Sequence, residues 1–199
     1  MKKITISFLF IIASLTAFGQ SKSACKPDKL VEDKITKEKS ELWFTKLASS
    51  SSFKSASTGK ADLLYHILFS KSGDSYLVTI QLSQTSSFTK EAFGDDLRFS
   101  NQDKIVLGWA NSKPIEIKVE IVGRDKKVFE QAKQVTNYYL LSFSITKENL
   151  ESMKSLFTND LITGVRIIMA SGAIIDKEVK GNANVGVQSK AKCFFAQIN

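Results

Sequence analysis

Asp176 and Glu178 stand two residues apart in the run AIIDKEV, whose apolar residues predict a β-strand. Side chains two apart share one face of a strand, and the strand rise separates their backbones by roughly 6 to 7 Å. Paired carboxylates at that range can serve as acid and nucleophile in glycoside hydrolysis. We interpret the two as a candidate carboxylate pair; the alternative is a solvated strand face that they share with Ile174.

His66 is the only histidine of the 199-residue chain. In the run LLYHILF, strand alternation places it on one face with Leu64 and Leu68, which predicts a packed, hydrogen-bonded side chain. A single histidine without Cys-x-x-Cys spacing does not make a zinc site, and no G-x-S-x-G elbow offers a serine nucleophile. The sequence therefore predicts no catalytic residue, no metal and no cofactor.

Gly181 and Gly186 have the glycine spacing of a phosphate-binding loop within GNANVGVQ. Val187 and Gln188 occupy the positions where that motif requires lysine and serine or threonine. The glycines are therefore interpreted as a turn before a helix.

A basic cluster follows the predicted strand IEIKVEIV, around the predicted turn GRDKK. The chain carries a formal net charge of +8, which favours anionic partners. The candidate polyanion patch, for lipopolysaccharide, acidic glycan or nucleic acid, comprises Arg124, Lys126, Lys127 and Lys133. Asp125 and Glu130 interrupt it, and nucleic acid is the least favoured partner.

Cys25 and Cys193 are the only cysteines, near opposite ends of the chain. In an oxidising compartment, two cysteines predict one disulfide. The alternative is that Cys193 is a buried small hydrophobe in CFFAQI and Cys25 lies in a mobile tail. Trp43 and Trp109 fall within predicted strands and are expected in the core.

The first residues have the pattern of an export signal. Lys2 and Lys3 precede an apolar run over residues 4–17, and Ala17-Phe18-Gly19 offers small residues for cleavage. Residues 1–19 are thus a predicted signal peptide, after which the net charge falls to +6. No later apolar run reaches membrane-spanning length. We expect a periplasmic or extracellular protein without a transmembrane segment.

Most of the remaining chain alternates with period two, the pattern of half-buried strands. Strands are predicted at residues 41–47, 63–69, 75–82 and 135–145, with a hairpin over 96–110, a single strand over 115–122 and a final pair over 161–179. Residues 48–60 are expected to form a loop or a flexible edge. Helices are predicted over 146–157, with Thr146 as N-cap, and over 184–198.

These elements predict a mostly β (α+β) fold. We expect an antiparallel β-sandwich or rolled sheet of about eight or nine short strands with one or two short helices. Residues 20–40 form a polar N-terminal segment with helical-looking charge, and residues 41–199 form a single domain.

Three stretches resemble small, uncharacterised secreted proteins from Bacteroidota-type genomes. They are DLRFSNQDKIVLGW, YYLLSFSITKENLESMKSL and LITGVRIIMASGAIIDKEV, followed by Cys193. The resemblance covers roughly residues 95 to 195 and is structural. It implies a secreted, mostly β domain and assigns no functional residue.

Three functions follow as hypotheses. The first is a non-enzymatic binding or structural domain that recognises a protein partner or an envelope glycan or lipid. The second is an exported hydrolase that acts on a glycan through Asp176 and Glu178. The third is a carrier that holds an apolar ligand.

Overall fold

A computed structural model describes residues 25–32, 37–48, 52–55, 59–87, 98–131 and 134–198. The predicted signal peptide and Lys133 lie outside the described residues.

Within the described residues the chain forms eleven strands and two helices. The strands are β1 (Lys29–Glu32), β2 (Lys39–Ala48), β3 (Ser52–Ser55), β4 (Gly59–Ser72), β5 (Ser75–Ser87), β6 (Lys104–Trp109), β7 (Ile115–Lys118), β8 (Ile121–Phe129), β9 (Gln134–Ser144), β10 (Ile162–Ile168) and β11 (Ile174–Glu178). The helices are α1 (Leu150–Asn159) and α2 (Asn182–Phe195).

The strands form two antiparallel sheets, so the predicted mostly β, antiparallel fold is confirmed. The large sheet has the order β1-β2-β4-β5-β9-β8, with β3 also paired to β4, and it curls into a half-barrel. The small sheet has the order β11-β10-β6-β7. Gly73 makes the tight turn between β4 and β5 with φ of 55°, a conformation that glycine adopts without strain.

The segment 115–129 joins the two sheets. The predicted single strand over 115–122 is therefore wrong, because β7 ends at Lys118 and β8 begins at Ile121. The N–H of Val119 donates to Asp103 O in the small sheet, and the N–H of Glu120 donates to Ser142 O in the large one. The chain therefore changes sheets between these residues. The predicted turn GRDKK is wrong, because those residues continue as β8.

The core lies between the large sheet and a layer made of the small sheet and both helices. Aromatic rings fill it: the ring centroid of Phe69 lies 5.3 Å from that of Phe157 and 5.4 Å from that of Phe194. Trp43 packs edge-on against Phe194, and Trp109 packs edge-on against Phe157. Both tryptophans are buried, as predicted.

Several local predictions are wrong. Residues 29–32 pair with β2 as a strand, where the charge pattern looked helical. The strand β3 pairs with β4 within residues 48–60, which were expected to form a loop or a flexible edge. The strand β6 pairs with β7 and β10, where a hairpin with residues 96–100 was expected; residues 96 and 97 lie outside the described residues. Helix α1 has Asn149 as N-cap, and the side chain of Asn149 accepts a hydrogen bond from the Thr146 N–H at 2.9 Å.

The N-terminal strand is held to helix α2 by two links. Cys25 and Cys193 stand at disulfide distance, with their Cα atoms 4.8 Å apart. Lys190 of α2 also pairs with Asp28, whose backbone N–H donates to Leu42 O at 2.8 Å. The edge of the large sheet is therefore connected to the layer that covers the core.

Candidate ligand-binding face

The register of the large sheet separates two faces. One face, here called the core face, carries Trp43, Phe69, Ile80 and Leu141, and both helices and the small sheet pack on it. The opposite face, here called the trough face, carries the alternate residues of the same strands. On β4 these are Leu64, His66 and Leu68, opposite Ser83, Gln81 and Thr79 of β5.

The trough face is sheltered although the core lies on the other side. Thr79, Gln81 and Ser83 are at most 8 % exposed, as buried as many core residues. Apolar side chains flank them on both sides and are half-buried; they are Leu42, Phe44, Leu64, Leu68, Ile121 and Leu140. A strip of buried polar groups between apolar walls is unusual for a face that only meets water.

The large sheet is curled rather than flat. In a flat sheet, five spacings of about 4.8 Å would put β1 and β8 roughly 24 Å apart. Lys29 on β1 and Lys127 on β8 both lie on the trough face. Burial, and in second place the charge of Lys127, lower the pKa of Lys29. Lysines of the two outer strands thus act on each other electrostatically, in a sheet that curls into a half-barrel.

His66 lies in the middle of this face, where the register places it between Lys46 and Gln81. Burial, and then the charge of Lys46, lower the pKa of His66, so the ring is neutral at pH 7. The Nδ1 atom of His66 is buried and lacks a hydrogen-bond partner among the described residues. The expected side of the strand is confirmed.

Hydroxyl pairs occupy much of the remaining polar floor. Thr79 and Ser142 share a hydrogen bond of 2.8 Å, and Thr85 and Thr136 share one of 3.0 Å. Each pair satisfies its members inside the sheet, which lowers the cost of burying them.

Tyr138 stands beside Ser83 near one end of the trough. The Nζ atom of Lys127 lies 5.9 Å from the centroid of its ring. Burial first, and the charge of Asp125 second, raise the pKa of Tyr138, so the phenol keeps its proton at neutral pH. This end of the trough thus brings a neutral phenol close to the lysine Lys127 and the acid Asp125.

The candidate carboxylate pair lies elsewhere. Asp176 and Glu178 share a face of β11, as predicted, but Asp176 receives two hydrogen bonds from the Arg166 guanidinium and Glu178 pairs with Lys180 at 2.8 Å. Both carboxylates are more than half exposed. The pair is solvated and ion-paired rather than enclosed around a substrate.

Glu178 does border an open cleft of about 600 Å³ between the end of β2, β11 and the start of α2. Three lysines line this cleft: Lys46, Lys177 and Lys180. Gly181 is the N-cap of α2 with φ of 58°, and Gly186 is inside the helix against Thr45. The predicted turn before a helix is confirmed at Gly181, whereas Gly186 serves close packing.

The candidate polyanion patch is divided by strand alternation. Arg124 and Lys126 of β8 stand opposite Tyr139 and Asn137, on the side of the core face. Lys127 stands opposite Thr136 on the trough face. Of the three described members, only Lys127 therefore contributes to the trough, and polyanion binding stays a prediction.

The part of the chain that the structure describes holds no group of three or more His, Cys, Asp or Glu side chains arranged for a metal ion. Nor does any helix in those ranges have the length and apolar character to cross a membrane. Comparisons of the chain with protein-family models, with curated proteins and with solved structures find no match.

The trough face escaped the sequence analysis, because alternate polar residues such as Thr79, Gln81 and Ser83 look like an ordinary wet strand face. One feature of the sequence did indicate a covered second face. Leu64 and Leu68 fall on the same side as His66, so β4 is apolar on both faces. An antiparallel strand with two apolar faces predicts a second covered surface.

Proposed function

We propose that this chain is an exported, non-enzymatic binding protein that holds a ligand with a large apolar part on the trough face. This joins the binding hypothesis to the apolar-carrier hypothesis. The observation that carries the proposal is the buried polar strip of β5 between half-buried leucines on the face opposite the core. Ligand sites are mostly apolar concavities in which a few polar groups fix orientation.

Two features support export. Residues 1–19 have the charge and hydropathy pattern of a signal peptide. Cys25 and Cys193 stand at disulfide distance, and disulfides persist in oxidising compartments.

The surroundings of the acids favour binding over hydrolysis. A general acid for glycoside hydrolysis works in a desolvated pocket. Asp176 and Glu178 instead stand in water beside Arg166 and Lys180. A neutral His66 among leucines offers a hydrogen bond to a ligand, and its cross-strand neighbours are Lys46 and Gln81, neither of which is an acid.

The proposal is tested by titrating the purified protein with an uncharged apolar dye, N-phenyl-1-naphthylamine. Its fluorescence reports binding, and the ring protons of His66, unique in the chain, report by NMR whether the dye reaches the trough. We expect saturable binding that shifts the His66 resonances. Saturable binding that leaves them unmoved, or no binding, would contradict the proposal.

A matched pair of substitutions tests whether the dye binds on the trough face. Leu68→Gln puts a polar group on the trough face, whereas Leu30→Gln makes the same change at an exposed leucine on the other side of β1. Losing the contact of one apolar side chain should weaken dye binding about tenfold in Leu68→Gln. Leu30→Gln should bind as the wild type does. Equal affinities in both variants would place the dye elsewhere.

A further inference from the structure

The open cleft between the end of β2, β11 and the start of α2 is a second concave site. Its volume of about 600 Å³ falls within the range of sites that hold small organic molecules. Leu47 and Ala48, which are buried, supply an apolar part of its lining together with Ala183. The uncharged polar residues of the lining are Thr45 and Asn182, whose side chains can donate hydrogen bonds. The cleft therefore has room for a ligand and offers it both kinds of contact.

Lys177 of β11 is half-buried on the side of the strand that faces the core. It alternates with Ile175 and Val179, which are 7 % and 3 % exposed, and Val179 continues the pairing because its N–H donates to Thr163 O. Lys177 also lines the cleft, and it forms no salt bridge with any acid of the described residues. Partly burying a cation without a partner costs folding free energy. A ligand charge in the cleft therefore explains this lysine better than the packing of the fold does.

Two further lysines line the same cleft. Lys46, at the end of β2, is exposed and likewise forms no salt bridge within the described part of the chain. Lys180 lies with its Nζ atom 2.8 Å from Glu178, the one acid among the described residues that line the cleft. The charges of Lys180 and Glu178 offset each other, which leaves Lys46 and Lys177 without a counter-charge. The resulting positive potential attracts anions into the cleft.

The two lysines without a counter-charge belong to different sheets. Lys46 is carried by β2 of the large sheet and Lys177 by β11 of the small sheet, so they stand on different walls of the cleft. Asp176, the other acid of β11, is held by two hydrogen bonds from Arg166 and is not part of the lining. A ligand that meets both lysines therefore needs an acidic group at each of two positions.

We propose that this cleft binds a small organic molecule with two acidic groups, phosphates or carboxylates, one on Lys177 and the other on Lys46. The uncharged middle of the molecule lies against Leu47 and Ala48. Charge-assisted hydrogen bonds from the two ammonium groups supply the main part of the affinity. The site differs from the trough face in the chemistry that it selects, and it does not depend on the proposed function.

The test is calorimetric titration with ligands that differ in the number of acidic groups: glucose 1,6-bisphosphate, glucose 6-phosphate and glucose. We expect the bisphosphate to bind about tenfold more tightly than the monophosphate, because it gains one more charged hydrogen bond, and glucose to give no heat of binding. Glucarate and gluconate, with two carboxylates and one, form a parallel series that shows which acidic group the site takes. Equal affinity within both series, or no binding of any of the four acids, would overturn the proposal.

Lys177→Met and Lys46→Met each remove one charge and keep an unbranched apolar side chain. Either substitution should weaken binding of the ligand with two acidic groups about tenfold, to the level of its counterpart with one. Lys154→Met, on the exposed side of α1, removes the same charge elsewhere and should leave the affinity unchanged. Equal weakening in all three variants would mean that only the net positive charge of the chain attracts the ligand, which would overturn the site.

The thermal midpoint of ligand-free Lys177→Met separates a binding role of this lysine from a structural one. Methionine between Ile175 and Val179 removes the cation that lacks a partner, so the midpoint should equal that of the wild type or rise. A fall in the midpoint would mean that Lys177 stabilises the fold, and it would overturn the assignment of this lysine to the ligand.

Discussion

His66 makes the free energy of unfolding depend on pH. Its pKa is lowered in the folded protein, by burial and then by Lys46, from an unfolded value of about 6.5. The unfolded chain therefore binds more protons between the two pKa values, so the free energy of unfolding is highest above about pH 6.5 and falls as the pH drops through the folded pKa.

The expected result is an NMR titration of the single histidine with a midpoint below 6.5. His66→Gln, which cannot titrate, should flatten this part of the stability profile measured by urea unfolding. A midpoint at or above 6.5, or a variant whose profile matches that of the wild type, would contradict the burial of this ring.

Neutralising either acid of β11 should leave the stability of the protein unchanged, as is usual for surface residues. Asp176→Asn breaks an ion pair between two largely exposed side chains, and water replaces its hydrogen bonds. We expect the thermal midpoint of Asp176→Asn, and of Glu178→Gln, to equal that of the wild type in calorimetry. A marked rise in either variant would instead indicate two acids held close together at a functional site.

At the scale of elements, helix α2 packs closely on β2 because Gly186 has no side chain. A Cβ atom on Gly186 would lie 2.9 Å from Thr45 Oγ1, too close for either to stay in place. Gly186→Ala should thus destabilise the protein, although alanine is favoured over glycine in a helix by about 1 kcal/mol.

A double-mutant cycle checks this. Thr45→Ala removes the hydroxyl, so Gly186→Ala should be tolerated far better in that background, and the two substitutions should couple by more than about 0.5 kcal/mol in urea unfolding. Additive effects would mean that α2 does not approach β2 this closely.

The elements also show how much of the fold could be predicted from the sequence. Alternation grouped Leu64, His66 and Leu68 of β4 on one face correctly, because side chains of a strand point alternately to its two sides. It failed at residues 115–129, where the period stays at two while the chain changes sheets at Val119 and Glu120. Local pattern records which side chains are buried, but not which neighbour buries them.

The trough face was missed for a related reason. It is shared by six strands from β1 to β8, nearly a hundred residues apart in the chain, in a sheet that curls into a half-barrel. Curl depends on all the strand pairings together, so no single strand predicts it. Lys29 could not be associated with Lys127 before the register was known.

At the scale of the whole molecule, Cys25 and Cys193 stand at disulfide distance across a sequence separation of 168 residues. Such a bond stabilises chiefly by restricting the unfolded chain, typically by about 2 to 4 kcal/mol. It also holds β1, a strand of four residues that pairs only with β2 among the described strands and carries Lys29 on the trough edge.

We therefore expect Cys25→Ser/Cys193→Ser to lower the free energy of unfolding by about 2 to 4 kcal/mol in urea. Its m-value should rise, because an unlinked unfolded chain exposes more surface. Ser189→Ala, a small exposed change on α2, is the control and should match the wild type. If the double variant keeps both the stability and the m-value of the wild type, the two cysteines are not bonded in the native protein, and the edge of the trough is held by Asp28, Lys190 and strand pairing alone.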